Sequence, residues 1–99
     1  MEIVKTSTDA GITLAISGKL SAATAEEFGA AAEAAAAETG ALVLDFAGVT
    51  YLASAGLRVL IAVNKKLKSK NGSLLILHAG ESIQEVFEIT GLEDVFDIQ

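Results

Sequence analysis

The chain has 99 residues, one histidine and no cysteine, proline or tryptophan. This length suits one domain, which we predict to span residues 1–99, and it suffices for a buried core without cross-links. The absence of cysteine excludes disulfides, cysteine nucleophiles and thiolate metal sites, and a single histidine excludes a zinc site built from His and Cys. The net charge of −6 argues against a general binder of nucleic acid or of anionic membranes, since both require a positive surface.

Hydropathy periodicity and turn residues divide the chain into strands and helices. In chain order the predicted elements are a strand at 3–7, a turn at 8–11, a strand at 12–17, a helix at 22–38, a strand at 42–46, a loop at 47–53, a helix at 55–69, a strand at 73–78, a helix at 81–90 and a strand at 95–98. Two strands joined by a short turn predict an antiparallel hairpin, and the alternation that follows predicts parallel strands with right-handed crossovers. We therefore expect a small α/β domain with a mixed, mostly parallel sheet, an N-terminal antiparallel hairpin and three helices.

The alanine-rich segment from about Ala22 to Glu38 is predicted to be the first helix, because alanine has the highest helix propensity. Its start offers two candidate caps: Ser21, just before the segment, and Thr24, which with Glu27 matches a capping box. Gly40 is placed to end this helix.

Apolar patterns predict which faces of the later elements are buried. The expected apolar faces are Leu57, Leu60, Ile61, Asn64 and Leu67 in the second helix and Ile83, Val86, Phe87 and Thr90 in the third. Lysines crowd the end of the second helix, where the helix dipole favours cations. The strand at 42–46 is almost continuously apolar, which is typical of a strand buried on both faces.

The sequence carries no recognisable catalytic motif, and we do not expect an enzyme. It has no glycine-rich phosphate loop with its lysine and no Gly-x-Ser-x-Gly element. The one candidate base, His78, ends the strand predicted at 73–78 and is interpreted as making a local hydrogen bond. Acidic residues of the third helix have the spacing of a solvated face, and no acid–base pair or cofactor site is indicated.

The segment 49–60 is the most informative one, because it ends a buried strand and delivers Ser54 to the start of an amphipathic helix. A hydroxyl at that place can cap free backbone N–H groups, which is a common structural role. The same place accommodates an anion, so a phosphate on Ser54 would meet the positive end of the helix dipole. Because phosphorylation adds about 1.5 to 2 negative charges, it would repel a partner docked closely over this serine.

The segment resembles the signature of STAS domains, specifically of the bacterial anti-sigma factor antagonists. The matching residues are a strand-ending Asp45, the pair Tyr51-Leu52, and Ser54-Ala55-Gly56-Leu57 at the start of a helix. Three further elements match in order along the chain: Gly18-Lys19-Leu20, Asn71-Gly72-Ser73-Leu74, and Thr90-Gly91-Leu92 followed by Val95-Phe96. The resemblance therefore covers nearly the whole chain.

The resemblance implies a protein-binding switch without a cofactor. An unphosphorylated antagonist of this family binds an anti-sigma factor that is an ATP-dependent serine kinase, and this binding frees a sigma factor for transcription. The kinase then phosphorylates the antagonist, and a phosphatase resets the cycle. Ser54 matches the phosphoacceptor position, and the implied partner-binding residues are Leu20, Ser21, Ala53, Ser54, Ala55, Gly56, Leu57 and Arg58. Gly56 is interpreted as allowing close approach of a partner or of the helix turn, and Gly56→Val is expected to weaken binding more than stability. A purely structural role predicts the reverse order.

The sequence departs from the family pattern at Ala53 and Ser21, where acidic residues are common, and it ends without the C-terminal helix of many relatives. An alternative of the same fold is a STAS regulatory subunit of a transport complex of the lipid-transport ATPase type, with no phospho-switch. No signal peptide is recognisable, and no apolar run reaches the roughly 20 residues of a membrane-spanning helix. We therefore expect a cytoplasmic protein with no membrane insertion and no direct nucleic-acid contact.

Overall fold

A computed structural model describes all of residues 1–99 as five strands, three α-helices and one 3₁₀ turn. The elements are β1 (Glu2–Thr8), β2 (Gly11–Leu20), α1 (Ala25–Glu38), β3 (Ala41–Leu52), α2 (Ser54–Lys68), β4 (Ser73–Leu77), α3 (Glu81–Thr90), the 3₁₀ turn (Leu92–Asp94) and β5 (Asp97–Ile98). The strands form one sheet in the order β1-β2-β3-β4-β5, in which β1 is antiparallel to β2 and the other neighbours are parallel. The predicted class, element order and N-terminal hairpin are confirmed.

The two strands at the centre of the sheet are longer than predicted. The segment 47–53, predicted to be a loop, continues β3 as far as Leu52, and β2 likewise continues through the Gly18–Leu20 element. Two register shifts in the β2–β3 ladder absorb the extra residues of β3 as bulges. Gly48 permits the first, because a Cβ at that position would lie 2.6 Å from the Cβ of Ser17. The polar and glycine residues of segment 47–53 therefore coincide with bulges within β3 and do not mark the end of this strand.

The helices cover one face of the sheet and form a two-layer domain. Alternate residues of the three central strands are buried beneath them: Ile12, Leu14, Ile16, Leu42, Leu44, Phe46, Leu74 and Ile76. Their neighbours Ala15, Val43 and Leu75 point to the other face and are half-buried. The prediction that strand 42–46 is buried on both faces is therefore wrong. Its side chains are buried on the face beneath the helices and only half-buried on the opposite face.

The first helix begins at Ala25, three residues after the predicted start, and its capping box does not form. The Thr24 hydroxyl donates to the carbonyl of Lys19 at 2.6 Å and accepts the N–H of Ser21 at 3.0 Å. Both partners lie before the helix, so Thr24 closes the loop between β2 and α1 instead of capping α1. The helix ends at Glu38, close to Gly40 as predicted.

The predicted apolar faces are correct except at two positions. In α2, Ile61 is 40% exposed and Val63 is buried in its place, while Asn64 is buried as predicted. In α3, Thr90 is exposed, and its hydroxyl donates to the carbonyl of Val86 at 2.7 Å. Gly91 ends α3 with a φ of 74°, a left-handed conformation that suits glycine. None of the helices combines the length and the apolar character needed to cross a bilayer.

Candidate functional site

Ser54 and Ser21 are brought together where β2 and β3 end side by side. Leu20 pairs with Leu52 in the parallel ladder, and the N–H of Ala53 donates to the carbonyl of Leu20 at 2.8 Å. The two strands therefore end at the same side of the sheet, and the chain continues from β2 towards α1 and from β3 towards α2. We call the surface formed by Ser21, Ala53, Ser54, Ala55 and Arg58 the serine edge.

Ser54 is the first residue of α2, and Ala53 occupies the N-cap position. The N–H groups of Gly56 and Leu57 donate to the Ala53 carbonyl at 3.0 and 3.2 Å. The alternative role of the Ser54 hydroxyl as a helix cap is not realised, because Ser54 lies one position after the N-cap. No side-chain cap bond forms at this end, and the exposed Ser54 side chain is left without a hydrogen-bond partner in the protein.

Three of the predicted partner-binding residues lie in the interior. Leu20 is 0% exposed, Leu57 is 8% exposed, and Gly56 is buried between α2 and the strand ends. A Cβ on Gly56 would lie 2.8 Å from Leu52 Cδ1 and 3.2 Å from Leu20 Cβ. These three residues pack the first turn of α2 against the sheet and fix the position of Ser54, and their contact with a partner stays a prediction.

The remaining predicted residues are accessible at the serine edge. Ser54 and Arg58 are exposed, and Ser21, Ala53 and Ala55 are half-buried. Tyr51, which the sequence analysis did not place among the contact residues, is 51% exposed immediately before this edge. Tyr51 pairs with Lys19 only after the second register shift between β2 and β3. The side of the sheet that Tyr51 faces therefore depends on these bulges, and the sequence pattern alone did not predict its exposure.

The charge at the serine edge differs from that of the chain as a whole, whose net charge is −6. Arg58 is exposed and forms no ion pair, since the ion pairs of the structure join Lys5 to Glu38 and His78 to Asp45. Glu26 and Glu33 of α1 line the same shallow groove as Arg58 without bonding to it. The serine edge therefore presents a cation without an ion-pair partner one helical turn after the Ser54 hydroxyl.

Asp45 lies within β3, seven residues before its end, and is not part of the serine edge. Its Oδ1 accepts the backbone N–H of Ala47 at 3.0 Å and lies 3.0 Å from Nδ1 of His78. The bond from Ala47, reinforced by His78, holds the pKa of Asp45 below its ordinary value. His78 thus makes a hydrogen bond as expected, but to a neighbouring strand and not locally. The prediction that Asp45 ends the strand is wrong, because this carboxylate secures the first bulge of β3.

We expect Asp45→Asn to lower the free energy of unfolding at neutral pH by about 1 kcal/mol, because a charged acceptor is replaced by a neutral one. Since the pKa of Asp45 is lowered on folding, its contribution is complete above the ordinary value of 3.8 and is lost as the pH falls through the folded-state pKa. Urea unfolding across this pH range measures the difference between variant and wild type, which should shrink on acidification. Asp9→Asn, in the exposed hairpin turn, is the control. A difference independent of pH would contradict the assignment.

The chemistry available at the serine edge is that of an exposed primary hydroxyl. A primary hydroxyl stands at the exposed start of a helix, and the small side chains of Ala53 and Ala55 leave it open to approach. No His, Lys or carboxylate hydrogen-bonds to this hydroxyl as a general base would. No group of three or more potential metal ligands forms anywhere in the chain.

Comparisons with known sequences place the chain among regulatory proteins. A family model described as "Mlab, STAS domain" matches residues 3–98. The anti-sigma-B factor antagonist of Listeria monocytogenes is 30% identical over 100 residues, and the alignment covers 100% of this chain and 87% of that protein. The anti-sigma-B factor antagonist of Bacillus subtilis is 40% identical over 50 residues, which cover 50% of this chain and 46% of that protein. These relatives favour the antagonist over the transport subunit.

Solved structures share the fold along nearly the full chain. The crystal structure of an anti-sigma factor antagonist from Mycobacterium paratuberculosis matches with a TM-score of 0.88 and 28% identity, covering 98% of this chain and 83% of that one. The unphosphorylated form of the antagonist SpoIIAA matches with a TM-score of 0.83 and 15% identity, covering 99% of this chain and 88% of that one, which shows a common fold. The chain therefore belongs to the STAS-domain family and, within it, to the anti-sigma factor antagonists.

Proposed function

We propose that this protein binds an anti-sigma factor through the serine edge and is released when Ser54 is phosphorylated. The observation that carries the proposal is the Ser54 hydroxyl, which is exposed, free of hydrogen bonds and fixed at the first residue of α2. The names of its relatives supply the partner class, an anti-sigma factor. Residues 1–99 act as one domain in this proposal, and the protein works in the cytoplasm, where sigma factors and ATP are found.

The partner that best fits the site is an anti-sigma factor with serine kinase activity. In the transfer step the Ser54 Oγ forms a bond to the terminal phosphorus of ATP, and the bond from that phosphorus to the β–γ bridging oxygen breaks. ADP leaves, and the hydroxyl proton passes to a base of the kinase or to water. A phosphatase restores the hydroxyl by hydrolysis of the phosphoserine, with release of inorganic phosphate.

The position of Ser54 separates the effect of phosphorylation on binding from its effect on folding. A phosphate at the first residue of a helix is favoured by the positive end of the helix dipole, so α2 tolerates it. The same phosphate adds about 1.5 to 2 negative charges to a surface that the partner must desolvate. Phosphorylation therefore disfavours docking while leaving the domain folded.

A phosphorylation assay tests the assignment of Ser54. The purified protein is incubated with ATP and with each recombinant anti-sigma factor serine kinase encoded in the same genome, and the product is mapped by mass spectrometry. We expect one phosphate per chain, on Ser54, and none on the Ser54→Ala variant. Ser82→Ala, which removes an exposed serine hydroxyl from the first turn of α3, should be phosphorylated like wild type. Incorporation that persists in Ser54→Ala, or no incorporation with any of these kinases, would refute the proposal.

A further inference from the structure

Arg58 lies one helical turn after Ser54 on the exposed surface of α2. Residues four positions apart on a helix are neighbours, with Cβ atoms about 5–6 Å from each other. In the unmodified protein Arg58 lines the groove between α1 and α2. Because long helical side chains favour rotamers that lean towards the N-terminus of their helix, a rotamer change can bring the guanidinium over the turn that contains Ser54. A group attached to the Ser54 oxygen would therefore project into the space that the Arg58 guanidinium can reach.

The guanidinium of Arg58 is available for such a group. It forms no ion pair in the structure, although Glu26 and Glu33 of α1 line the groove beside it. A phosphate with a charge near −2 is a stronger acceptor than either of these single carboxylates, and it can receive two parallel N–H bonds from the planar guanidinium. Phosphate on Ser54 would therefore compete successfully for Arg58 against both acidic side chains of α1.

The other cations of the chain are poorly placed for the same task. The lysines of α2 begin at Lys65, eleven residues and about 16 Å along the helix axis from Ser54. Lys5 is already paired with Glu38 on the far side of the hairpin. Lys19 is exposed near the end of β2, beside Tyr51, and is an alternative cation from the neighbouring strand. Arg58 is the only cation on the same helix within one turn of the serine.

We propose that Arg58 is the phosphate-binding residue of phosphorylated Ser54. This inference rests on the proposed function only in taking Ser54 as the modified residue. In the phosphorylated protein the guanidinium of Arg58 holds the phosphomonoester in an ion pair on the surface of α2. The modification therefore adds an anion to the serine edge and also withdraws the one free cation that the unmodified edge presents to a partner.

The ionisation of the phosphate tests this pairing without any partner protein. Phosphoserine is incorporated at position 54 during translation, and ³¹P NMR follows the second ionisation of the phosphate, which falls near pH 6 in exposed phosphoserine. Because a neighbouring cation favours the dianion, Arg58→Gln should raise the phosphate pKa by about half a pH unit. Lys65→Gln, which removes a charge from the far end of the same helix, should leave it unchanged, and Lys19→Gln tests the alternative cation.

A second measurement observes the guanidinium directly. In the ¹⁵N spectrum, the Arg58 Nε–H signal should shift on phosphorylation and follow the phosphate titration. A phosphate pKa that is identical in Arg58→Gln and wild type, or that responds to Lys19→Gln instead, would overturn the assignment to Arg58. Since no kinase or anti-sigma factor enters the experiment, failure of the pairing is distinguished from failure of the docking proposal.

Discussion

Ser54→Asp is expected to weaken binding to the anti-sigma factor by at least about tenfold, while the free energy of unfolding stays close to that of wild type. The carboxylate introduces a negative charge at the exposed position 54 of the serine edge. A partner that docks there must displace the water that hydrates this charge. At the first residue of α2 the same carboxylate is favoured by the helix dipole, so the domain is not destabilised. Isothermal titration calorimetry with the purified partner measures the binding, and urea unfolding measures the stability.

Two matched variants isolate the effect of charge at this place. Ser54→Ala removes the hydroxyl without adding charge and should bind like wild type. Ser82→Asp introduces the same charge in the first turn of α3, at another exposed serine, and should also bind like wild type. Equal affinity of Ser54→Asp and wild type would remove the electrostatic basis of the proposed release.

Gly56→Val is expected to lower the free energy of unfolding by about 2–3 kcal/mol, because the added side chain overpacks a closed contact. The Cβ would lie 2.8 Å from Leu52 Cδ1, and the second neighbour, Leu20, is 0% exposed and cannot move aside freely. This outcome is the order that a purely structural role of Gly56 predicts, and it reverses the expectation from sequence that binding suffers more than stability. Urea unfolding monitored by circular dichroism measures the loss of stability.

Gly40→Val is the matched control, since nothing lies within 4 Å of a Cβ built on Gly40. Its free energy of unfolding should remain within about 0.5 kcal/mol of wild type, as for other surface substitutions. If Gly56→Val were as stable as Gly40→Val yet failed to bind the partner, Gly56 would be a contact residue after all, and the buried assignment would be wrong.

Local sequence patterns predicted the elements that depend on local interactions. The bounds of α3, from Glu81 to Thr90, follow from its apolar spacing and from the glycines on either side. The hairpin of β1 and β2 follows from two short apolar segments around a turn. The extension of β3 to Leu52 was not predictable in this way, because it depends on pairing with β2 across two bulges. Such pairing joins residues about thirty positions apart and leaves only polar and glycine residues as a local signal.

The candidate site was predicted as a segment, but the roles within it were not. The motif around Ser54 places exposed and buried residues side by side. The apolar spacing of α2 predicts that Leu57 is buried, but it carries no signal for Gly56, which has no side chain. Ser54 and Arg58 reach the surface, whereas Gly56 and Leu57 turn inward to the core. A glycine suits the inward position because a Cβ there would lie 2.8 Å from Leu52 Cδ1 and 3.2 Å from Leu20 Cβ.

The backbone hydrogen bond from Ala53 to Leu20 has a consequence for how such proteins diversify. It holds the start of α2 to the sheet without using any side chain of the serine edge. The surface residues that contact a partner can therefore be substituted while the packing of α2 on the sheet stays unchanged. Duplicated copies of such a domain could acquire different partners through a few surface substitutions. Several signalling pathways without cross-reaction could then operate in one cell.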